Sequence, residues 1–276
     1  TDGQRWLPFF IDHKAWIFRY MVFSNLPFPE TPDGDDTEFI SACVDLVRRE
    51  RMCDFVFQPL SHVVLPRPVE GAKNRVWGTP IVDLSRSPEE LFKSFHPKHR
   101  YEVRKAKEAG GMLSKISPQE FHRLLASNEK GNANYTFPSL TRIQALLLGL
   151  GPAASLHGLV CKDRIVAGAL VLHDQKCAYY TYGASEKGSI GWMHLLQTEI
   201  MDYYHLQGIS HYDLVGYRPP EGEDKKYEGL ARFKMRFSPT LIQGYTFWMP
   251  IKKSKVCLFR FALELRKLLT GKEFVF

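Results

Sequence analysis

The chain has 276 residues, of which 44% are hydrophobic and 24% charged, so disordered and fibrous classes are excluded. Thirty-seven Lys and Arg residues against 30 Asp and Glu residues give a formal net charge of +7, which predicts attraction to an anionic partner. The length suffices for one large domain or two smaller ones.

The positive charge is concentrated in three segments. Residues 98–107 and 225–236 each carry +4, and residues 252–273 carry +5, which leaves the remainder of the chain at −6. The sequence therefore describes a mildly acidic body with three basic stretches.

The cysteines indicate neither a disulfide framework nor a metal site. There are five of them, an odd number, and no CxxC pair occurs. This pattern favours a reducing compartment, and we expect a cytoplasmic protein with no metal. The longest apolar run, 145–160, contains three glycines, a proline and a histidine and is too short to span a bilayer. The chain opens at Thr1, which leaves open whether a native beginning is missing.

The first 95 residues predict the order strand, strand, helix, strand, strand and helix. Aromatic and β-branched residues favour strands over 6–11 and 15–23, and acids with prolines predict a solvated loop over 30–38. Helical spacing begins at Phe39, and strands are expected at 54–59 and 75–83. Ser87 followed by Pro88 is typical of a helix start.

The remaining residues predict alternating helices and strands. The predicted helices are 97–109, 118–129, 139–148, 190–206, 228–236 and 254–270. The predicted strands are 112–116, 155–161, 164–173, 177–182, 210–215 and 241–248.

The order β-α-α-β-β-β-α-β-α-β resembles the GNAT acyltransferase fold, and the first ninety residues resemble its latter part. We therefore expect a mixed α/β protein with two GNAT-like subdomains in tandem, the first shortened. The predicted boundaries are a shortened subdomain at 1–95, a basic connecting helix at 96–111, a second subdomain at 112–250 and a basic amphipathic helix at 251–276. Packing of that last helix on the domain is favoured over a membrane-surface role, which stays open.

Three stretches resemble motifs of the FemAB-like proteins. HPKHRYEVRKAKEAG (96–110) is similar to their "R…IRKAxKxG" helix, and AYYTYGAS (178–185) to their "YxYGAS" strand end. DLVG (213–216) followed by GLARFKMRF (229–237) is similar to "YDfgG…gLxxFKxxF", although Ser238 replaces the glycine of that motif. The resemblance implies transfer of an aminoacyl group from aminoacyl-tRNA to an amine of a peptidoglycan precursor. The chain is shorter than the bridge-forming enzymes and shows no coiled-coil arm.

The third motif supplies the first candidate site residues. Lys234 is predicted to hold a phosphate or a developing oxyanion, and Phe233 to stack on a base or ribose. Arg232 beside them is a further candidate for substrate binding. The alternative is that Phe233 and Phe237 anchor the core while Lys234 is exposed.

Two more candidates follow from the expected splaying of a GNAT sheet. Tyr182 precedes Gly183 at a strand end and is predicted to face the reacting group, whereas Tyr179 and Tyr180 are expected to be structural. Asp213 is predicted to orient the attacking amine or accept its proton. A buried aspartate that caps the following turn is the alternative.

The first motif places three basic side chains on one helical face. Arg100, Arg104 and Lys107 lie at i, i+4 and i+7, where like charges repel and an anionic substrate would relieve the repulsion. A solvated surface helix partly neutralised by acids is the alternative. The FemAB-like mechanism would be direct attack of the amine on an activated ester, with no metal and no tightly bound cofactor.

The donor is expected to be aminoacyl-tRNA or acyl-CoA. An acyl-CoA enzyme normally carries a Q/R-x-x-G-x-G/A turn, and SEKGSIG (185–191) lacks that spacing. The expected acceptor is an anionic cell-envelope precursor, reached from the cytoplasm and, through helix 251–276, from the inner membrane face. Two alternatives stay open: an N-acyltransferase using acyl-CoA or an acyl carrier, and a non-catalytic protein that binds RNA or the envelope.

Overall fold

A computed structural model describes residues 4–14, 18–29, 36–57, 64–129, 137–186, 188, 190–219 and 225–270. The strands of this part are β1 (Phe9–Lys14), β2 (Phe18–Phe23), β3 (Phe55–Phe57), β4 (Lys73–Asp83), β5 (Met112–Lys115), β6 (Ala154–Cys161), β7 (Arg164–His173), β8 (Cys177–Ser185), β9 (His211–Asp213) and β10 (Thr240–Pro250). The helices are α1 (Thr37–Arg49), α2 (Pro88–Ser94), α3 (Pro97–Glu108), α4 (Pro118–Glu129), α5 (Leu140–Leu150), α6 (Trp192–Leu206), α7 (Lys225–Met235) and α8 (Lys253–Thr270).

The ten strands form one sheet in the order β1-β2-β3-β10-β4-β9-β8-β7-β6-β5. The pairs β2–β3 and β8–β9 are parallel, and the other neighbours are antiparallel. Strand β10 lies between β3 and β4, so the last strand of the chain joins both halves of the sheet. The subdomain boundaries near 95, 111 and 250 stay a prediction.

Local sequence signals explain where helices α2 and α3 begin and where α3 ends. Ser87 accepts a hydrogen bond from the Glu90 amide and Glu90 caps in return, so α2 starts with the capping box that Ser87 and Pro88 predict. Helix α3 has Pro97 in its first turn and is followed by Gly110 at φ +91°. A glycine at that position allows the chain to leave the helix and enter β5.

Side chains alternate along β7 to form a core on each face of the sheet. Leu170 packs with Phe121 and Leu125 of α4, whereas Ala169 and Val171 face the cluster that contains α3 and α6. All of these side chains are buried. The sheet is therefore covered on both faces, as expected for a mixed α/β fold.

The expected solvated loop at 30–38 is wrong at its end. Asp36 and Thr37 are buried, and α1 begins at Thr37. The guanidinium of Arg5 forms an ion pair with the Asp36 carboxylate at 3.5 Å, which compensates the burial of that charge. Residues 30–35 of the expected loop lie outside the described part.

Helix α8 is attached to the sheet through its first turn. Val256 is buried against Phe18 and Phe55, and the buried Asp54 carboxylate pairs with Lys252 at 3.1 Å and Lys255 at 3.4 Å. This agrees with the expected packing of the helix. The other expected apolar contacts of α8, at Phe259, Leu263 and Leu269, lie outside the described side chains. No helix within the described ranges is long and apolar enough to cross a membrane.

Leu170 of β7 allows a test of this core. We expect Leu170→Ala to lower the free energy of unfolding by about 2–5 kcal/mol, because the truncation leaves a cavity between β7 and α4. Urea denaturation measures the change. The matched control is Leu148→Ala on α5, where the side chain is 87% exposed and the change should stay within about 0.5 kcal/mol. Equal losses in both variants would contradict this assignment of the core.

Candidate active site

The site begins where β8 and β9 separate. They pair in parallel over three residue pairs, from Cys177 with His211 to Tyr179 with Asp213. Strand β8 continues to Ser185, while the chain beyond β9 stays with β4 through a hydrogen bond from the Leu214 amide to the Pro80 carbonyl at 2.9 Å. A gap therefore opens between the end of β8 and the turn that follows β9.

A β-bulge divides the tyrosines of β8 between the two faces of the sheet. Leu170 of β7 lies opposite Tyr182 and the next residue, Val171, lies opposite Tyr180, so Thr181 is an extra residue in β8. In a regular strand Tyr180 and Tyr182 would share a face. Here Tyr180 packs on the α6 side and Tyr182 on the α4 side.

Beyond its pairing with β9, the end of β8 lines a cleft of about 740 Å³. Its walls are the end of β8, the start of α6, one face of α7, and single residues of α3 and α4. The described lining consists of Glu102, Asn128, Phe137, Tyr180, Gly183, Ala184, Ser185, Glu186, Gly188, Ile190, Gly191, Trp192, Met193, His194, Gly229, Leu230 and Phe233.

Close packing around Gly183 holds the Tyr180 ring at the cleft wall. A β-carbon at residue 183 would lie 2.7 Å from ring atoms of Tyr180, which is too short for a real contact. The Tyr180 hydroxyl donates to the Met193 sulfur at 3.6 Å. At the end of the strand, the Asn128 side-chain amide donates to the Ser185 carbonyl at 3.0 Å. These contacts fix the shape of the β8 wall.

Two neighbouring imidazoles lie behind the cleft. The rings of His99 and His194 have their centroids 4.8 Å apart, and both His99 nitrogens and the His194 Nε2 are buried without a described hydrogen-bond partner. Burial, followed by the charges of Arg236 and Lys98, lowers the pKa of His194 to about 4. Burial also lowers the pKa of His99 to about 3. Both rings are therefore neutral near pH 7.

Lys234 is buried rather than exposed. Its ammonium donates to the Gly216 carbonyl at 2.7 Å and to the Val215 carbonyl, and so fixes the turn after β9. The Asp213 carboxylate accepts from the Val215 amide at 2.7 Å and from the Thr79 hydroxyl. These contacts match the alternative interpretation in which Asp213 is a buried aspartate that caps the following turn.

The other predicted basic residues have intramolecular partners. Arg100 donates to the Lys93 carbonyl, and the Arg104 guanidinium lies 6.0 Å from the centre of the Phe92 ring. Lys107 pairs with Glu199 at 2.8 Å, and Arg232 pairs with Glu228 on the same helix. None of these four basic side chains is among the described lining of the cleft.

Of the eight predicted site residues, Phe233 lines the cleft; Tyr182, Lys234 and Asp213 do not. The structure therefore does not bring Tyr182, Lys234 and Arg104 together in this cleft, and their roles stay predictions. Sequence reasoning did not single out three lining residues: Glu102, Tyr180 and His194. Glu102 and Tyr180 lie within the FemAB-like motifs, and that position could have indicated a role in the site. No motif in the sequence includes His194.

Across the described ranges, no group of three or more His, Cys, Asp or Glu side chains could hold a metal ion. The five cysteines, all within those ranges, are free thiols. Burial raises the pKa of the Cys177 thiol to about 12, so this cysteine is a poor nucleophile near pH 7.

The buried lysine predicts a pH dependence of stability. Burial lowers the pKa of Lys234 to about 8 from 10.5, although the Asp213 carboxylate opposes the shift. Between these values the unfolded chain binds more protons, so the free energy of unfolding rises with pH in that window. We expect the Lys234→Met variant to lack this increase. The unmodified protein should therefore gain stability relative to the variant as the pH rises.

Urea denaturation at about pH 7.5, 9 and 10.5 measures that difference. The control is Leu148→Ala, which removes an exposed side chain and no titratable group and should shift stability equally at each pH. A stability difference for Lys234→Met that stays constant across the window would contradict the depressed pKa.

Comparison with solved structures identifies similar folds. FemX is 14% identical with a TM-score of 0.67, over 92% of this chain and 87% of that chain. L-PGS from Bacillus licheniformis is 15% identical with a TM-score of 0.58, over 92% and 82%. The C-terminal domain of a putative lysylphosphatidylglycerol synthetase from Agrobacterium fabrum is 13% identical with a TM-score of 0.57, over 94% and 84%. These likenesses establish the fold and confirm the expected GNAT-like architecture.

No curated protein sequence matches the chain significantly. A family model described as an acetyltransferase (GNAT) domain matches residues 93–235, just over half of the chain. That range includes α3, the bulged strand β8 and the cleft-lining part of α7. The chain therefore belongs to the acetyltransferase (GNAT) domain family and is an acyltransferase with a FemAB-like fold.

Proposed function

We propose that this acyltransferase moves an aminoacyl group from aminoacyl-tRNA to an amine of a peptidoglycan or other cell-envelope precursor. The observation that carries the proposal is the cleft at the divergence of β8 and β9, in a chain whose fold matches FemX over 92% of its length. The FemAB-like motifs supply the donor and acceptor classes. The similar structure from Agrobacterium fabrum is named as part of a putative lysylphosphatidylglycerol synthetase, which also supports aminoacyl transfer.

In this proposal, the acceptor nitrogen attacks the ester carbonyl of the donor directly. The C–N bond forms, the bond from the carbonyl carbon to the ribose oxygen breaks, and the ribose oxygen leaves as a hydroxyl after taking a proton released by the amine. No covalent enzyme intermediate is required, so the contribution of the protein is positioning and charge stabilisation. Lys234 places its charge at the Val215–Gly216 turn, beside the gap in which we place the reaction.

The donor and acceptor would contact different parts of the molecule. Phe233 lines the cleft and is proposed to stack on the terminal base or ribose of the donor. The exposed Arg104 and Lys107 of α3 lie outside the cleft and are proposed to attract the phosphates of the tRNA or the precursor.

Contact with the inner membrane face through α8 belongs to the same proposal. Leu258, Phe261 and Leu265 are exposed along this helix at i, i+3 and i+7, in a segment of net positive charge. A lipid-linked acceptor would be reached from such a position.

An N-acyltransferase that uses acyl-CoA is the second candidate. It is favoured by the matched family model, which is described as an acetyltransferase domain. The lack of the usual Q/R-x-x-G-x-G/A spacing at 185–191 counts against it.

Parallel transfer assays decide between the donors. The protein is incubated with a nucleotide-linked peptidoglycan precursor carrying a free amine, and either tRNA charged with labelled amino acids or labelled acetyl-CoA is added. We expect label to reach the precursor from the charged tRNA. Transfer from acetyl-CoA alone would replace the proposal with the second candidate, and transfer from neither donor would contradict both.

The two tyrosines separated by the bulge form a matched pair for testing the site. We expect Tyr180→Phe to lower kcat/KM at least tenfold, because the Tyr180 hydroxyl lies at the cleft wall. Tyr182→Phe should change kcat/KM less than twofold, because that ring packs on the α4 side. This ranking is opposite to the sequence-based expectation. A larger loss in Tyr182→Phe would restore the sequence-based role and contradict the placement of the reaction in this cleft.

A further inference from the structure

The described residues that line the cleft carry charge of the sign opposite to that of the protein as a whole. Among its described lining residues there are two carboxylates, Glu102 and Glu186, and no lysine or arginine. Glu186 is already paired with Arg164 at 2.5 Å. Glu102 forms no ion pair with any described residue, so its charge remains to attract a cation into the cleft.

The contact between α3 and the start of α6 places the Glu102 carboxylate. A β-carbon at Gly191 would lie 2.6 Å from the Glu102 β-carbon and 3.1 Å from its Oε2. The same point is 3.1 Å from His194 Nδ1, so the carboxylate and the imidazole flank Gly191. Gly191 has φ −76°, so a side chain is excluded there by space and not by backbone conformation.

The neighbouring histidine does not neutralise this carboxylate. His194 is packed between the rings of His99 and Phe233, with centroid distances of 4.8 Å and 5.0 Å. Its low pKa, caused first by burial and then by Arg236 and Lys98, keeps the ring uncharged near pH 7. Glu102 is therefore the one carboxylate in the described lining without an ion-pair partner, while Arg236 and Lys98 act on His194 from outside that lining.

The remaining walls suit a cation as well. Tyr180, Trp192 and Phe233 line the same cleft. The faces of such rings attract ammonium groups, most strongly when water is partly excluded. A phosphate in the same place would face the Glu102 carboxylate and no basic side chain among the described lining.

We propose that Glu102 is the specificity residue of an ammonium subsite that binds the protonated amine of a substrate. The inference rests on the proposed function for the identity of the substrates, since both of them carry a primary amine. The ammonium is either the α-ammonium of the aminoacyl donor or that of the acceptor, which would pass one proton to the Glu102 carboxylate before its nitrogen attacks. Glu102 selects such groups over neutral or acylated ones.

Binding of unreactive probes by calorimetry tests the subsite without turnover. The donor-like pair is puromycin, which carries an amide-linked aminoacyl group with a protonated amine, and N-acetylpuromycin. The acceptor-like pair is Nα-acetyl-lysinamide and its Nε-acetylated form. We expect the protein to bind the charged member of at least one pair at least tenfold more tightly, and the pair that shows the preference identifies which amine occupies the subsite.

Three variants assign the preference to the position of Glu102. Glu102→Gln should reduce it below threefold, while Glu108→Gln, on the exposed side of the same helix, should leave it unchanged. Gly191→Ala should also reduce it, because the added methyl displaces the Glu102 side chain without removing its charge. Equal affinity within both pairs, or a preference that survives Glu102→Gln, would overturn the proposal. Failure of transfer from charged tRNA with the ammonium preference intact would count against the proposed function alone.

Discussion

The parallel pairing of β8 with β9 ends after three residue pairs, and the cleft depends on that early separation. Two local features keep the strands apart. The extra residue Thr181 bends β8, and the chain beyond Asp213 turns at positive φ through Val215 and Gly216 while it remains bonded to β4. If β8 and β9 stayed paired beyond these residues, backbone hydrogen bonds would close the gap and leave no space for a substrate.

The buried polar residues around this opening support its shape. Lys234 satisfies the carbonyls of the turn, and Asp213 satisfies its amide and the Thr79 hydroxyl on β4. Each group is buried, so removal of one leaves the others without partners in a region of low dielectric constant. Residues that carry charge near the reaction can therefore act by holding backbone in place.

Charge of opposite sign is separated between the surface and the cleft. The basic side chains of α3 face outward and pair with neighbours or solvent, whereas Glu102 on the same helix lines the cleft. One helix thus presents positive charge at the surface and a carboxylate to the cleft. The formal net charge of +7 reflects the basic surface and gives no indication of the carboxylate in the cleft.

Much of the fold could be predicted from the sequence because its elements have strong local signals. The capping box at Ser87, the apolar periodicity of α6 and the continuous apolar run of β7 are examples. The bulge at Thr181 has no such signal, since it arises from the register between β7 and β8. The sequence-based prediction placed Tyr182, next to Gly183 at the strand end, in the site and treated Tyr180 as structural. Burial of Lys234 likewise depends on the distant turn after β9.

The most direct test of the central claim is a crystal structure of the protein with puromycin bound. The account predicts that the aminoacyl carbonyl carbon lies in the gap between β8 and the Val215–Gly216 turn, with Tyr180 and Phe233 beside it. An ordered ligand on the outer face of α3, with the cleft empty, would contradict the claim that the divergence of β8 and β9 creates the reaction site.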